Sequence, residues 1–316
     1  MSLARRRAAA QLLDGGDGRT AAAVVGHLLA VQAQDPRAWP LALKARGAGA
    51  PAPGPDAGGL TIGWLLRGTL HLVAADDLPW LFALTGRLTE RTSLRRLGQL
   101  GVDPSATAAV LRALDHGPLA RAELAAALVA AGVRSDGQRT PHLVALAAAH
   151  GELRPGLDGR YHRAAPLPAV DRDAALAELA RRYLRGHGPA GDRDLAAWSG
   201  LPLRDARAGL GAIGGEVEDA GDGRLALAGA APPDDPLPPV LLPAFDPYLL
   251  GWRDRGFAVP AGHARAVHPG GGILRATMVA DGRVVGTWRR DRGRVVLEPF
   301  APLPRALRTA FEALAT

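Results

Sequence analysis

The sequence predicts an α+β chain: three tandem units, each of three helices closed by a β-hairpin, followed by a small β-rich domain. Three observations predict it. A segment starting His116-Gly117-Pro118 and running to Leu128 is repeated in kind from His187-Gly188-Pro189 to Ser199, each copy preceded by an amphipathic helix and followed by a glycine turn (Gly132, Gly200). Each repeat then meets an Asp-Gly turn between short alternating runs, at Asp158-Gly159 and Asp222-Gly223, which is a hairpin signal. Beyond the proline-rich stretch 232–239, helical periodicity gives way to short β-like runs.

The elements follow in order. The first unit, 1–100, begins with a helix at 3–13 stopped by Asp14-Gly15-Gly16-Asp17-Gly18. A second helix, 20–33, is almost wholly Ala, Val, Leu and Gly, with His27 read as a core histidine. Pro36 lacks an N–H and disfavours helix at Asp35, so this helix ends near Ala33; Asp35 then caps a third helix, 36–45, with Pro36 in its first turn. Residues 48–59 form an aperiodic Pro/Gly/Ala loop, and 64–67 with 69–73 form a hairpin about Gly68 before a helix at 76–86. The second unit, 101–168, has helices at 105–114, within the repeat, and at 140–149, then a hairpin 152–155/160–162. The third, 169–231, has helices at 172–184, within the repeat, and at 203–213, then a hairpin 216–218/224–227. Three helices plus a hairpin make a winged helix. The last domain, 232–316, carries strands at 240–242, 272–279, 283–288 and 293–297 and a closing helix at 305–315.

Composition narrows the function classes. The 316 residues hold a formal net charge of +7 and no Cys, which excludes disulfides, thiolate metal sites and a Cys nucleophile. No apolar run is long enough to span a membrane, and the basic N-terminus lacks the apolar stretch of a secretory signal, so a cytoplasmic location is expected. Lys44 is the only lysine; Arg supplies the rest of the basic charge, which fits both a GC-rich genome and a phosphate-backbone partner. No metal triad, phosphate-binding Gly loop or Ser/His/Asp spacing stands out, so neither metal nor cofactor is expected.

The most informative stretch is Ala30-Val31-Gln32-Ala33-Gln34-Asp35-Pro36. Two amides stand where an apolar helix runs out. On a helix, positions two apart point to different faces; in an extended joint they fall on one side, so the break brings Gln32 and Gln34 together. Read from the residues alone, the pair either satisfies backbone groups at a helix end or forms a site.

With these pieces in place, the chain resembles the winged-helix DNA glycosylases, the family that includes AlkZ and YcaQ. Val31-Gln32-Ala33-Gln34 looks like the family's Gln-x-Gln motif of the AlkZ type, where YcaQ-type members carry Gln-x-Asp. Arg67-Gly68-Thr69-Leu70-His71-Leu72 looks like the segment that follows it; Leu242 to Arg255 and Asp281 to Trp288 resemble the start and central hairpin of the C-terminal domain. The resemblance implies three winged helices bent around DNA, a barrel-like C-terminal domain, and hydrolysis of the N-glycosidic bond of alkylated purines. Some members unhook interstrand crosslinks made by alkylating natural products.

On that reading Gln32 and Gln34 are catalytic, and the partner is double-stranded DNA bound by a monomer. Arg67 and Thr69 suit phosphate contact. His71 either contacts substrate or packs at a strand edge. Arg37 and Trp39 follow the glutamines closely enough to approach DNA, and Arg139 and His142 occupy the groove-reading helix of the second unit. Asp246, Tyr248 and Arg255 are read as a structural polar cluster, and Trp252 and Trp288 as core. The competing function is a winged-helix DNA-binding protein without catalysis, such as a transcriptional regulator.

Overall fold

The computed structural model describes residues 2–52, 54, 57–230 and 234–315; Pro232 and Pro233 of the expected linker lie outside them. Helix α1 (Leu3–Ala10) starts where the Ser2 hydroxyl accepts from the Arg5 N–H, and α2 (Ala21–Leu28) where Thr20 caps Ala23. Both are shorter than expected. α2 stops at Leu28 because Leu29 turns to a φ of 69°, outside the helical region. The expected helix 20–33 is therefore corrected: Val31–Gln32 is a strand, β1.

The chain then turns at Asp35, whose side chain accepts from Arg37 N–H and whose carbonyl accepts from Ala38 N–H. Helix α3 spans Trp39–Lys44, so the expected start at Pro36 is a turn. Strands β2 (Leu60–Trp64) and β3 (Leu70–Ala74) follow, giving an antiparallel sheet in the order β1-β3-β2. Its core row is Val31–Leu72–Ile62, all buried. Helices α4 (Leu78–Thr85) and α5 (Glu90–Gln99) complete this region.

The next segment repeats the arrangement: α6 (Thr107–Leu114), β4 (Leu119–Ala120), α7 (Arg121–Ala130), α8 (Arg139–Ala149), β5 (Leu153–Pro155) and β6 (Arg160–Arg163), with sheet order β4-β6-β5. The third has α9 (Arg172–His187), α10 (Asp192–Ser199), α11 (Leu203–Ala212) and the hairpin β7 (Val217–Asp219)/β8 (Leu225–Leu227). Here one residue, Ala190, bridges Leu225 in place of a strand.

The C-terminal region holds β9 (Val240–Leu242), α12 (Pro247–Leu250), α13 (Ala264–Val267), β10 (Thr277–Ala280), β11 (Arg283–Asp291), β12 (Arg294–Pro299) and α14 (Arg305–Leu314). Its strands form an antiparallel sheet ordered β12-β11-β10-β9, with β12 and β9 at the edges. The barrel expected here is thus corrected to an open sheet; α14 covers it through buried Phe311.

The main core gathers around α9. Tyr183 and His187 are fully buried beside Trp198 and Trp252, and the Trp252 indole N–H donates to His187 O at 3.0 Å. Trp288, mostly buried, donates to Leu242 O at 2.8 Å. His27, read as a core histidine, is half-buried and meets Ala10 O at 2.8 Å. The expected cluster of Asp246, Tyr248 and Arg255 holds for its first two members, Asp246 accepting from Tyr248 N–H at 2.9 Å, and not for Arg255. Asp246 also pairs with Arg46, two hydrogen bonds of 2.8 and 2.9 Å with the side chains 1% and 0% exposed, and Gln11 caps the guanidinium. Removing one partner of so buried a pair costs about 3–5 kcal/mol, because it strands the other charge. Tyr248 hydroxyl reaches Gly282 O, and Arg255 donates to Leu249 O. No helix among the described residues is long and apolar enough to cross a membrane.

Candidate active site

The alternation of β1 sorts its neighbours. Val31 and Ala33 face the core, while Gln32 is half-buried and Gln34 exposed. Pairing continues past the strand, since Ala33 N–H donates to Leu70 O at 2.8 Å. Gln32 and Gln34 therefore lie on one side of an extended edge, although the local structure is a strand and not the helix end expected. Gln34 Oε1 accepts from Leu70 N–H at 3.2 Å, which leaves a second lone pair and the amide donors. Gln32 Oε1 is buried and has no hydrogen-bond partner. An oxygen left so costs about 1–3 kcal/mol.

His71 sits directly across from Gln32 in the β1–β3 register, with Gly63 of β2 on its other side. Directly paired residues share a face, so the three form one row spaced at about 4.8 Å per strand. A side chain at Gly63 would press on Leu78 Cδ1 at 3.0 Å, which explains the glycine. His71 is 2% exposed, and burial, reinforced by the Arg67 charge, pushes its pKa down to about 3. The ring is therefore neutral. Its Nδ1 lies 3.0 Å from Thr69 O, so Nδ1 carries the proton and Nε2 keeps a lone pair. Of the two readings of His71, packing at the strand is the one these contacts describe.

The remaining candidates fare differently. Arg67, expected at phosphate, has φ 53° and donates to Trp198 O; burial, then the Arg255 charge, lowers its pKa to about 10. It ties the first hairpin to α10, and its left-handed backbone rests against Gly200, where a Cβ would come within 3.0 Å. Thr69 hydroxyl donates to Leu66 O, closing the turn. Trp39 is 9% exposed and packs in the apolar core of the first sheet. Arg37 reaches into solvent, its side chain 91% exposed, and forms an ion pair of 3.5 Å with Asp35. It borders a groove of about 630 Å³ that runs from the Asp35 turn to Ala276, Trp288 and Arg290 of the C-terminal sheet. Arg139 donates to Asp136 at 2.5 Å and to Leu100 O at 3.2 Å. His142 is half-buried on the same helix, its pKa lowered by burial and then by Arg96. Gln32, His71 and Gln34 are thus brought together with Leu70; Arg139 and His142 belong to another region. Among the described residues, no His, Asp and Glu group forms a metal site.

The sequence reading missed Arg46. The only signal for it was a charge one helical turn after buried Ala42, and its partner lies 200 residues away.

A mixed α/β fold with paired amides on a strand edge defines a class only with comparison. Residues 25–316 match the model of the AlkZ-like DNA glycosylases, and the chain belongs to that family. Among solved structures, the Streptomyces sahachiroi DNA glycosylase AlkZ superposes with a TM-score of 0.75 at 25% identity, over 100% of this chain and 95% of that one. A search of curated proteins gives no match. The chain is therefore a DNA glycosylase by family, a hydrolase whose substrate is DNA.

Proposed function

We propose that this glycosylase excises N7-alkylated purines from duplex DNA, bulky adducts or interstrand crosslinks of alkylating natural products included, using a water held by Gln32 and Gln34. The observation that carries the reading is the buried, unpartnered Oε1 of Gln32, two residues before exposed Gln34. Such an oxygen is compensated when a water or a developing positive charge arrives.

The chemistry suits an amide. A carboxamide is too weak a base to ionise water, and an N7-alkylguanine needs no strong base. The alkyl group already makes the base cationic. When the N9–C1′ bond breaks, its electron pair neutralises the purine, which leaves without protonation. The sugar becomes oxocarbenium-like, as in glycoside hydrolysis. Carboxamide dipoles stabilise that charge and orient the water, whose oxygen bonds to C1′ while its proton passes to solvent. His71, neutral and locked by Thr69, stands beside Gln32 in that row.

Three winged-helix units in one monomer, acting in the cytoplasm as one continuous clamp on DNA, are part of the same reading. The repeated order of helix, short strand, helix and hairpin supports it. A role in self-resistance follows if the gene lies beside a biosynthetic cluster.

A second reading has its own observation: Gln34 Oε1 already bonds Leu70 N–H, as a purely structural amide does. Release of N7-methylguanine by Gln32→Ala, Gln34→Ala and the double variant separates the two. Loss of excision with unchanged melting supports catalysis. An unimpaired double variant refutes it and leaves a DNA-binding scaffold.

A further inference from the structure

We propose that Ile273 is a wedge that enters the base stack of bound duplex from the minor groove. The proposal rests on the family's DNA substrate and not on the lesion or on the role of the glutamines.

The loop between α13 and β10 reads His268-Pro269-Gly270-Gly271-Gly272-Ile273. Its feet are fixed: Val267 and Leu274 are buried, and Arg275 N–H donates to Val267 O at 2.9 Å. Its tip is fixed too. Ile273 N–H donates to Gly270 O at 3.1 Å, and His268 Nδ1 reaches Ile273 O at 2.5 Å. Three successive glycines take φ values of 108°, 60° and 74°, a run that side chains rarely adopt. Nothing lies within 4 Å of a Cβ built on any of them, so bare backbone surrounds the tip.

On this rigid support stands Ile273, 51% exposed. The other large exposed apolar residues, Leu94, Val129 and Leu314, sit on helices; Ile273 is the one on a loop tip. A β-branched side chain held out on an ordered glycine turn has few rotamers to lose on insertion. Charge favours the same partner. From Arg255 to Ala280 the chain holds no Asp or Glu, while Arg265, His268 and Arg275 are exposed around the tip. Ala276, three residues on, lines the groove opposite Asp35 and Arg37, the turn that follows the glutamines. Three residues reach at most about 10 Å, which bounds the distance from the tip to Ala276 at the groove's edge. Minor-groove proteins use such apolar side chains to part base steps and kink the duplex.

The test uses the full chain and a duplex carrying a tetrahydrofuran abasic analogue flanked by 2-aminopurine, whose fluorescence rises on unstacking. The wild type is expected to raise it and Ile273→Leu to keep the rise. Ile273→Ala is expected to abolish the rise and to bind about tenfold more weakly, the loss of one buried aliphatic side chain. Binding by Ile273→Ala with the full fluorescence rise overturns the proposal, as does wild-type binding with no rise or no binding at all. Because the readout is stacking, the outcome is independent of whether the glutamines are catalytic.

Discussion

Two short strands invite comparison. β1 and β4 each follow a helix, each precede another, and each pair with the second strand of the hairpin that comes later. In β4 the residues are Leu119 and Ala120, paired with Tyr161 and Arg160. In β1 they are Val31 and Gln32, paired with Leu72 and His71. At the third such point only Ala190 remains, as a single bridge. The backbone device is common and structural: it seats the hairpin against the helices. Only the first copy carries amides, with a buried neutral imidazole beside Gln32. On the proposed function, chemistry is added here to a joint that the fold builds anyway.

The comparison can be broken most sharply at the amides. If β1 differs from β4 in function, Gln32→Ala with Gln34→Ala lowers single-turnover excision by about 10²–10³-fold, the scale of losing an aligned dipole in a dry site, with melting nearly unchanged. Excision within a factor of a few of wild type makes β1 a second β4.

The next effect is on stability. His71→Ala opens a cavity in β3 beside Gln32 and is expected to cost about 2–4 kcal/mol in urea unfolding. Arg160→Ala, at the counterpart position paired with Ala120 of β4, is expected to cost no more than about 1 kcal/mol, since its side chain is 42% exposed. Equal costs mean that the two rows are packed alike.

Acid sharpens it further. His71 titrates near 3 in the folded chain against an ordinary 6.5. On acidification the unfolded chain therefore takes the proton first. The stability His71 contributes is complete above about pH 6.5 and is lost as pH falls towards 3, by about 2 kcal/mol at pH 5. Fully buried His187, also lowered to about 3, adds a similar loss. Urea unfolding from pH 7 to 5 in the wild type and in His71→Gln checks this; the variant loses about half of the slope. An unchanged slope shows that His71 titrates normally. The smallest effect is expected for Ala120→Gln, within about 0.5 kcal/mol, with no gain in excision.

Much of this was legible in the sequence, for physical reasons. Asp-Gly turns fixed the hairpins, because residues tolerant of positive φ are needed there. The His-Gly-Pro repeat located α7 and α10. What failed was β1. Its two residues are too few for alternation to register against a helical apolar run, and the break at Leu29 uses a residue type that gives no warning. The expectation that Gln32 and Gln34 share a side does not depend on that error, since an extended joint and a strand alternate alike. Contacts such as Arg67 with Trp198 and Arg46 with Asp246 join residues 131 and 200 apart and leave no local trace.

The Arg46–Asp246 pair has a consequence for anyone dissecting the protein. A fragment ending before β9 would keep a guanidinium sunk among carbonyls with no counter-ion, and would also lose Asp281, which grips Arg5 at the opposite end of the sequence. Cutting at the proline-rich connection therefore yields no autonomous N-terminal piece: first and last segments share one interior and must be expressed together.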